Sequence, residues 1–224
     1  MYFGDKKLSE IAVSVPGSTS LLRKYDLDFC CGGSDTLANA AAEKGLNLAE
    51  IETRLTELQN SKAENPEEYW VNATYPEIID HILVRYHQRH REQLQELIVL
   101  ADRVESVHGD REDCPIGVAA ELRNIYEDLS NHMMKEEHVL FPMIKAGNYM
   151  MAQMPIRMME MEHSEHGEHL EVLKSLTNNM TPPADACNTW RALYSGIQEF
   201  ADDLMMHIHR ENNILFPRVI AENH

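Results

Sequence analysis

No run in this 224-residue chain reaches the roughly 18 consecutive apolar residues that a membrane-spanning helix needs. The opening Met-Tyr-Phe-Gly-Asp-Lys-Lys lacks the apolar stretch of a signal peptide. Basic residues are scarce, 20 Lys and Arg against 37 Asp and Glu, for a formal charge of −17. That surface repels phosphate backbones and anionic lipid, which argues against nucleic acid and membrane as partners. Cysteine is sparse as well: four residues, irregularly spaced, are too few for a secreted disulfide framework. These absences lead us to expect a cytoplasmic protein with reduced thiols. Its length suits one well-packed domain plus a small appendage.

Histidine is abundant instead. The chain holds twelve, gathered between His81 and His209 apart from an incidental His224. Some of them lie in a repeat: His132-Met-Met-Lys-Glu136-Glu-His-Val-Leu-Phe-Pro142 returns as His207-Ile-His-Arg-Glu211-Asn-Asn-Ile-Leu-Phe-Pro217. Residues four apart share a helix face, so each copy presents an imidazole and a carboxylate together. Upstream, His87-Gln-Arg-His90 is echoed by His163-Ser-Glu-His166. The offset is 75 residues from His132 to His207 and 76 from His87 to His163.

Apolar residues at helical spacing predict four long helices: A over about 75–106, B over 116–145, C from near Pro155 to 176, and D over 185–211. Gly109, Gly147-Asn148 and Pro182-Pro183 punctuate them. In antiparallel hairpins, residues equidistant from the turn lie side by side. The midpoints of His87 and His132, of His132 and His163, and of His163 and His207 all fall at these turns. The four histidines therefore occupy one level of an all-α, up-down four-helix bundle. His108, 21 residues beyond His87, belongs roughly 30 Å away at the far turn. Pro142 and Pro217 are expected to kink or end their helices.

Imidazole and carboxylate suit iron, zinc or manganese. Six such ligands in a bundle favour a binuclear, carboxylate-bridged site with iron as the best fit. The expected ligand set is His87, His132, Glu136, His163, His207 and Glu211. Asp128 and Asp203, one turn before the motif histidines, either orient the imidazoles, line a route for iron and protons, or belong to a solvated face. Glu162 and Glu137, adjacent to ligands, point about 100° away from their neighbours, which places them outside the ligand set or in solvent, with Glu162 a further candidate for orienting a ligand or lining the iron route. His90, His138, His166, His169 and His209 are off the common level or face. Thirteen methionines are read as adaptable core filling.

Residues 1–61 read as a separate unit of short helices, 62–76 as a polar linker containing Trp70, and 77–224 as the bundle. In the small unit, Asp28-Phe-Cys30-Cys31-Gly32-Gly33 stands out. Adjacent cysteines rarely form a relaxed disulfide with each other. Cys30 and Cys31 are either structural or available for thiol exchange, metal or cluster contact, or oxidation.

The Arg-Lys-Tyr-Asp-Leu-Asp-Phe-Cys-Cys-Gly-Gly run at 23–33, together with the two repeat motifs, closely resembles the di-iron iron-sulfur cluster repair proteins, also called repair of iron centres proteins. The resemblance covers essentially the whole chain. It implies a hemerythrin-like bundle with two iron ions in an oxo-bridged centre and an N-terminal Cys-Cys domain. The implied role is restoring iron-sulfur clusters damaged by oxidative or nitrosative stress, in a cytoplasmic homodimer. Hemerythrin proper uses five histidines and no fifth lies at this level, which leaves a coordination position for a small molecule. Three functions follow: iron supply to damaged iron-sulfur proteins, nitric oxide reduction at the centre, or, less favoured by the presence of Cys30 and Cys31, oxygen binding or sensing.

Overall fold

A computed structural model describes residues 2–61 and 64–222. His224, and Lys62 and Ala63 of the expected linker, lie outside them. Every regular element is helical, and no strand forms among the described residues. The chain divides into two compact units, Met1–Ile78 with Met206–His224, and Ile79–Met205.

In the first unit, α1 (Leu8–Ser14), α2 (Ser18–Lys24), α3 (Leu37–Glu43) and α4 (Leu48–Asn60) are short helices of the kind expected over residues 1–61. Their starts are written in local chemistry. Thr36 Oγ1 and Asn47 Oδ1 each accept the N–H three residues on, at 3.3 Å, satisfying a donor that the first turn leaves unpaired. Phe3, Leu8, Ile11, Leu22, Leu27, Phe29, Leu37, Ile51 and Leu55 make a small core. The segment read as a linker holds a further helix, α5 (Pro66–Asn72), with Pro66 at its tolerated first position and Asn65 as its cap. Trp70 on α5 lies under the Arg210 guanidinium, 4.8 Å from ring centroid to Cζ.

Four long helices make up the second unit, with the start of A up to Ile78 and the end of D from Met206 counted in the first. Helix A runs as α6 (Tyr75–His81), a π-helical stretch π1 (Ile82–His87) and α7 (Gln88–His108). Helix B is α8 (Val118–Lys135), π2 (Glu136–Leu140) and α9 (Phe141–Lys145). Helix C is α10 (Tyr149–Leu176), and D is α11 (Asn188–Arg210), followed by π3 (Glu211–Leu215) and α12 (Phe216–Ala221). Cross-helix partners rise on one helix as they fall on the next. Arg123 meets Asp102 and Glu137 meets His87 between B and A; His169 meets Glu121 and Glu162 meets His132 between C and B; Arg89 meets Glu199 and Arg85 meets Asp203 between A and D. That is the antiparallel order expected of an up-down bundle.

Three details differ from expectation. Helix C begins six residues before Pro155, which sits inside it. The ring costs one backbone bond near the start of a 28-residue helix, and the many remaining bonds hold the helix together. Pro142 and Pro217 neither end nor break their helices. Each follows a π-helical stretch and occupies a first-turn position of the next α segment. Finally, the methionines are not mainly core. Met133 and Met159 are buried, but Met150, Met151, Met154, Met158 and Met161 form an exposed row on α10.

Candidate metal centre

His87, His132, Glu136, His163, His207 and Glu211 are all buried, none more than 1% exposed. His132 and Glu136 share a face because four residues nearly complete a turn, and so do His207 and Glu211. The Nε2 atoms converge on the carboxylates. His87 Nε2 lies 3.3 Å and His132 Nε2 3.4 Å from Glu136 Oε2, and His207 Nε2 lies 3.3 Å from Glu211 Oε1. His163 Nε2 is 3.1 Å from His132 Nε2. Among the described residues, the donors fall into two overlapping groups that could each hold a metal ion. One is His87, Glu136, His207 and Glu211; the other is His132, Glu136, His163 and Glu211. Within each group the donor atoms lie within 4.8 Å of one another.

These separations suit shared cations. Ligand atoms about 2.1 Å from one ion stand roughly 3.0–3.4 Å apart, which matches the observed contacts. Two buried carboxylates surrounded by imidazoles are costly to leave without positive charge. Glu136 and Glu211 occur in both groups, the arrangement required of carboxylates that serve two ions.

The outer contacts fix the imidazole tautomers. His87 Nδ1 lies 2.8 Å from Glu137 Oε1, and His132 Nδ1 lies 2.9 Å from Glu162 Oε2. A proton held on Nδ1 by a carboxylate leaves the Nε2 lone pair for a metal. The hydrogen bond from His87 brings the Glu137 carboxyl down to about 2, with Arg91 assisting against burial. The bond from His132, assisted by Lys135, brings Glu162 down to the same value. Each glutamate follows or precedes a ligand on its own helix, yet grips the imidazole of the adjacent helix. Glu137 carried no separate signal in the sequence beyond being an acidic neighbour of a ligand.

The other expected residues have different partners. Asp203 is bound by Arg85 at 2.5 Å and by Gln93 at 3.0 Å, and exposed Asp128 contacts His169 at 3.2 Å. Neither of these contacts is to an imidazole of the two donor groups, because each aspartate faces the seam with a neighbouring helix. His90 packs against Phe200 and Tyr86, and His166 against His132. His209 is buried against Phe29 and Glu67. His108 lies at the far turn, 3.3 Å from Cys187 Sγ. In the first unit, Cys30 and Cys31 sit with their sulfurs 3.8 Å apart beside Asp28. None of the four cysteines is in a disulfide among the described residues.

A helical bundle with two overlapping groups of buried histidine and glutamate defines a hemerythrin-type cation-binding protein. Residues 78–219 match the hemerythrin HHE cation binding domain, and residues 4–59 match a domain of unknown function, DUF542. The chain is 68% identical over 222 residues to the probable iron-sulfur cluster repair protein of Haemophilus influenzae, covering 99% of this chain and 100% of that protein. It is 55% identical to the iron-sulfur cluster repair protein YtfE of Musicola paradisiaca, over 98% of each chain, and 55% identical to that of Escherichia coli O81, over 99% of each. The chain belongs to the YtfE family of iron-sulfur cluster repair proteins. No helix among the described residues is long and apolar enough to cross a membrane.

Proposed function

We propose that this protein holds two iron ions through His87, His132, Glu136, His163, His207 and Glu211, and that it repairs damaged iron-sulfur clusters by supplying iron to them. The two overlapping donor groups carry this reading. Each group offers four donors, but Glu136 and Glu211 belong to both, so each ion has fewer protein bonds of its own than in a closed cage and can leave more readily. When bound, iron supplies the cargo and one-electron redox chemistry. The protein's part is to keep Nε2 unprotonated through Glu137 and Glu162 and to exclude bulk water from the buried carboxylates. Relatives carrying the name iron-sulfur cluster repair protein align over nearly the whole chain, and damaged iron-sulfur proteins are the proposed clients. Four cysteines outside any disulfide accord with a cytoplasmic setting.

The decisive experiment is anaerobic incubation of the iron-loaded protein with an apo iron-sulfur protein. About two irons per chain and stoichiometric transfer are expected, with Glu136→Leu or Glu211→Leu abolishing both. One zinc per chain, or transfer no better than a free-iron control, overturns the reading.

A second reading rests on the same small donor count, because an ion with few protein ligands can accept a diatomic molecule. Here the reduced protein converts nitric oxide to nitrous oxide over several turnovers when given an electron source. A single turnover rejects it.

We also propose a homodimer, supported by the exposed methionine row of α10, since contiguous exposed apolar surface marks interaction sites. Light scattering is expected to give twice the chain mass, and Met154→Glu to halve it.

A further inference from the structure

The Cys30-Cys31 loop is built with more constraint than two structural cysteines need. Asp28 closes it: Oδ1 accepts the N–H groups of Cys30 and Cys31, and Oδ2 that of Gly32, all at 2.9 Å. Gly33 lets the chain fold back, because a Cβ there would stand 2.5 Å from the Phe29 carbonyl oxygen. Asn213 donates to that same carbonyl at 2.8 Å, and Asn212 donates to the carbonyl of Cys30 at 3.0 Å. The backbone is therefore fixed on both sides of the thiols. Cys30 is 5% exposed and Cys31 half-buried.

Within this frame the sulfurs have a metal-like spacing. They are 3.8 Å apart, and Asp28 Oδ1 is 3.2 Å from Cys30 Sγ. Two thiolates about 2.3 Å from one tetrahedral ion stand about 3.8 Å apart. We propose that Cys30 and Cys31, with Asp28 as third donor, form a second metal site, separate from the histidine and glutamate donors, that takes a thiophilic divalent cation of the Fe2+ class. Binding replaces two thiol protons by one cation and releases both protons to solvent, with no change of oxidation state. The fourth position stays open to solvent or to a thiolate of an incoming protein, which suits an ion in passage. The contact with Cys31, followed by burial, raises the Cys30 thiol well above its ordinary value, so that thiol keeps its proton until a cation displaces it.

Binding at this site does not depend on the repair reading; only its use in iron passage does. The test is titration of the reduced full-length protein with Co2+ under anaerobic conditions. A sulfur-to-cobalt charge-transfer band in the near ultraviolet is expected to saturate at the intensity of one thiolate-bound ion per chain, after or alongside filling of the histidine and glutamate centre, which by itself yields none. Cys31→Ser, at a half-buried position the fold tolerates, is expected to abolish the band, and Cys30→Ser to do the same. Absence of the band in the wild-type protein overturns the proposal, as does a band that survives both substitutions and disappears in Cys187→Ser. If the band is present but no iron reaches an apo client, the repair reading fails and this site stands. If iron reaches the client and no band forms, the reverse holds.

Discussion

Glu137 and Glu162 each hold one ligand imidazole by Nδ1, and their substitution separates orientation from ligation. Glu162→Gln keeps the shape of the side chain but removes the charge facing His132. Metal affinity is expected to fall about 10–100-fold, read by competition with a chelator, while helix content is unchanged. The same carboxyls set an acid limit. Both are held at about 2 in the folded chain, below the ordinary carboxylate value, so their contribution to stability is present above about pH 4.3. It is lost as pH falls toward 2. Far-ultraviolet dichroism of the metal-free protein is expected to show acid unfolding in that window, and Glu137→Gln with Glu162→Gln to flatten the dependence. The six donors were legible as a set because repeat and period agree. Glu137 and Glu162 were legible only as outer neighbours of ligands, and which imidazole each grips was not, since helical period gives a residue's direction on its own helix and not what stands opposite.

At the element scale, three π-helical stretches lie beside ligands: π1 ends at His87, π2 begins at Glu136 and π3 begins at Glu211. Such turns concentrate at functional sites. They also accommodate proline, because the N–H absent from Pro142 and Pro217 would have bonded a carbonyl inside the preceding π stretch, at His138 and Asn213. The prolines were visible in the sequence, but the extra residue in the turn was not. Near the end of helix D, Arg210 is buried and pairs with Glu67 of α5 at 2.5 Å. Arg210→Leu leaves that carboxylate buried without its guanidinium, so a loss of about 3–5 kcal/mol is expected in denaturant unfolding. Helix B starts from Gly117, at φ +102°, with only ordinary contact from Leu176 to any added Cβ. Gly117→Ala is therefore expected to cost about 1–2 kcal/mol through backbone strain alone, measured as a lower Tm.

For the whole molecule, metal and fold are linked. A site whose carboxylates are buried binds its ions in the folded chain and not in the unfolded one, so saturation with Fe2+ raises stability. At a ligand concentration about 1,000 times Kd the gain is roughly 4 kcal/mol. Calorimetry is expected to show a higher Tm with iron for the wild type, and none of that response in Glu136→Leu with Glu211→Leu. The helical class, the two His-x-x-x-Glu pairs and the common level of the histidines followed from sequence alone. All depend on period and turn chemistry, which are local. Tertiary structure decided the rest: which helix supplies the carboxylate behind each imidazole, that the segment read as a linker contains α5, that α10 shows its methionines to solvent, and that Asn212 and Asn213 hold the cysteine loop. Those contacts join residues distant in the chain, and a spacing pattern carries no information about which surfaces meet.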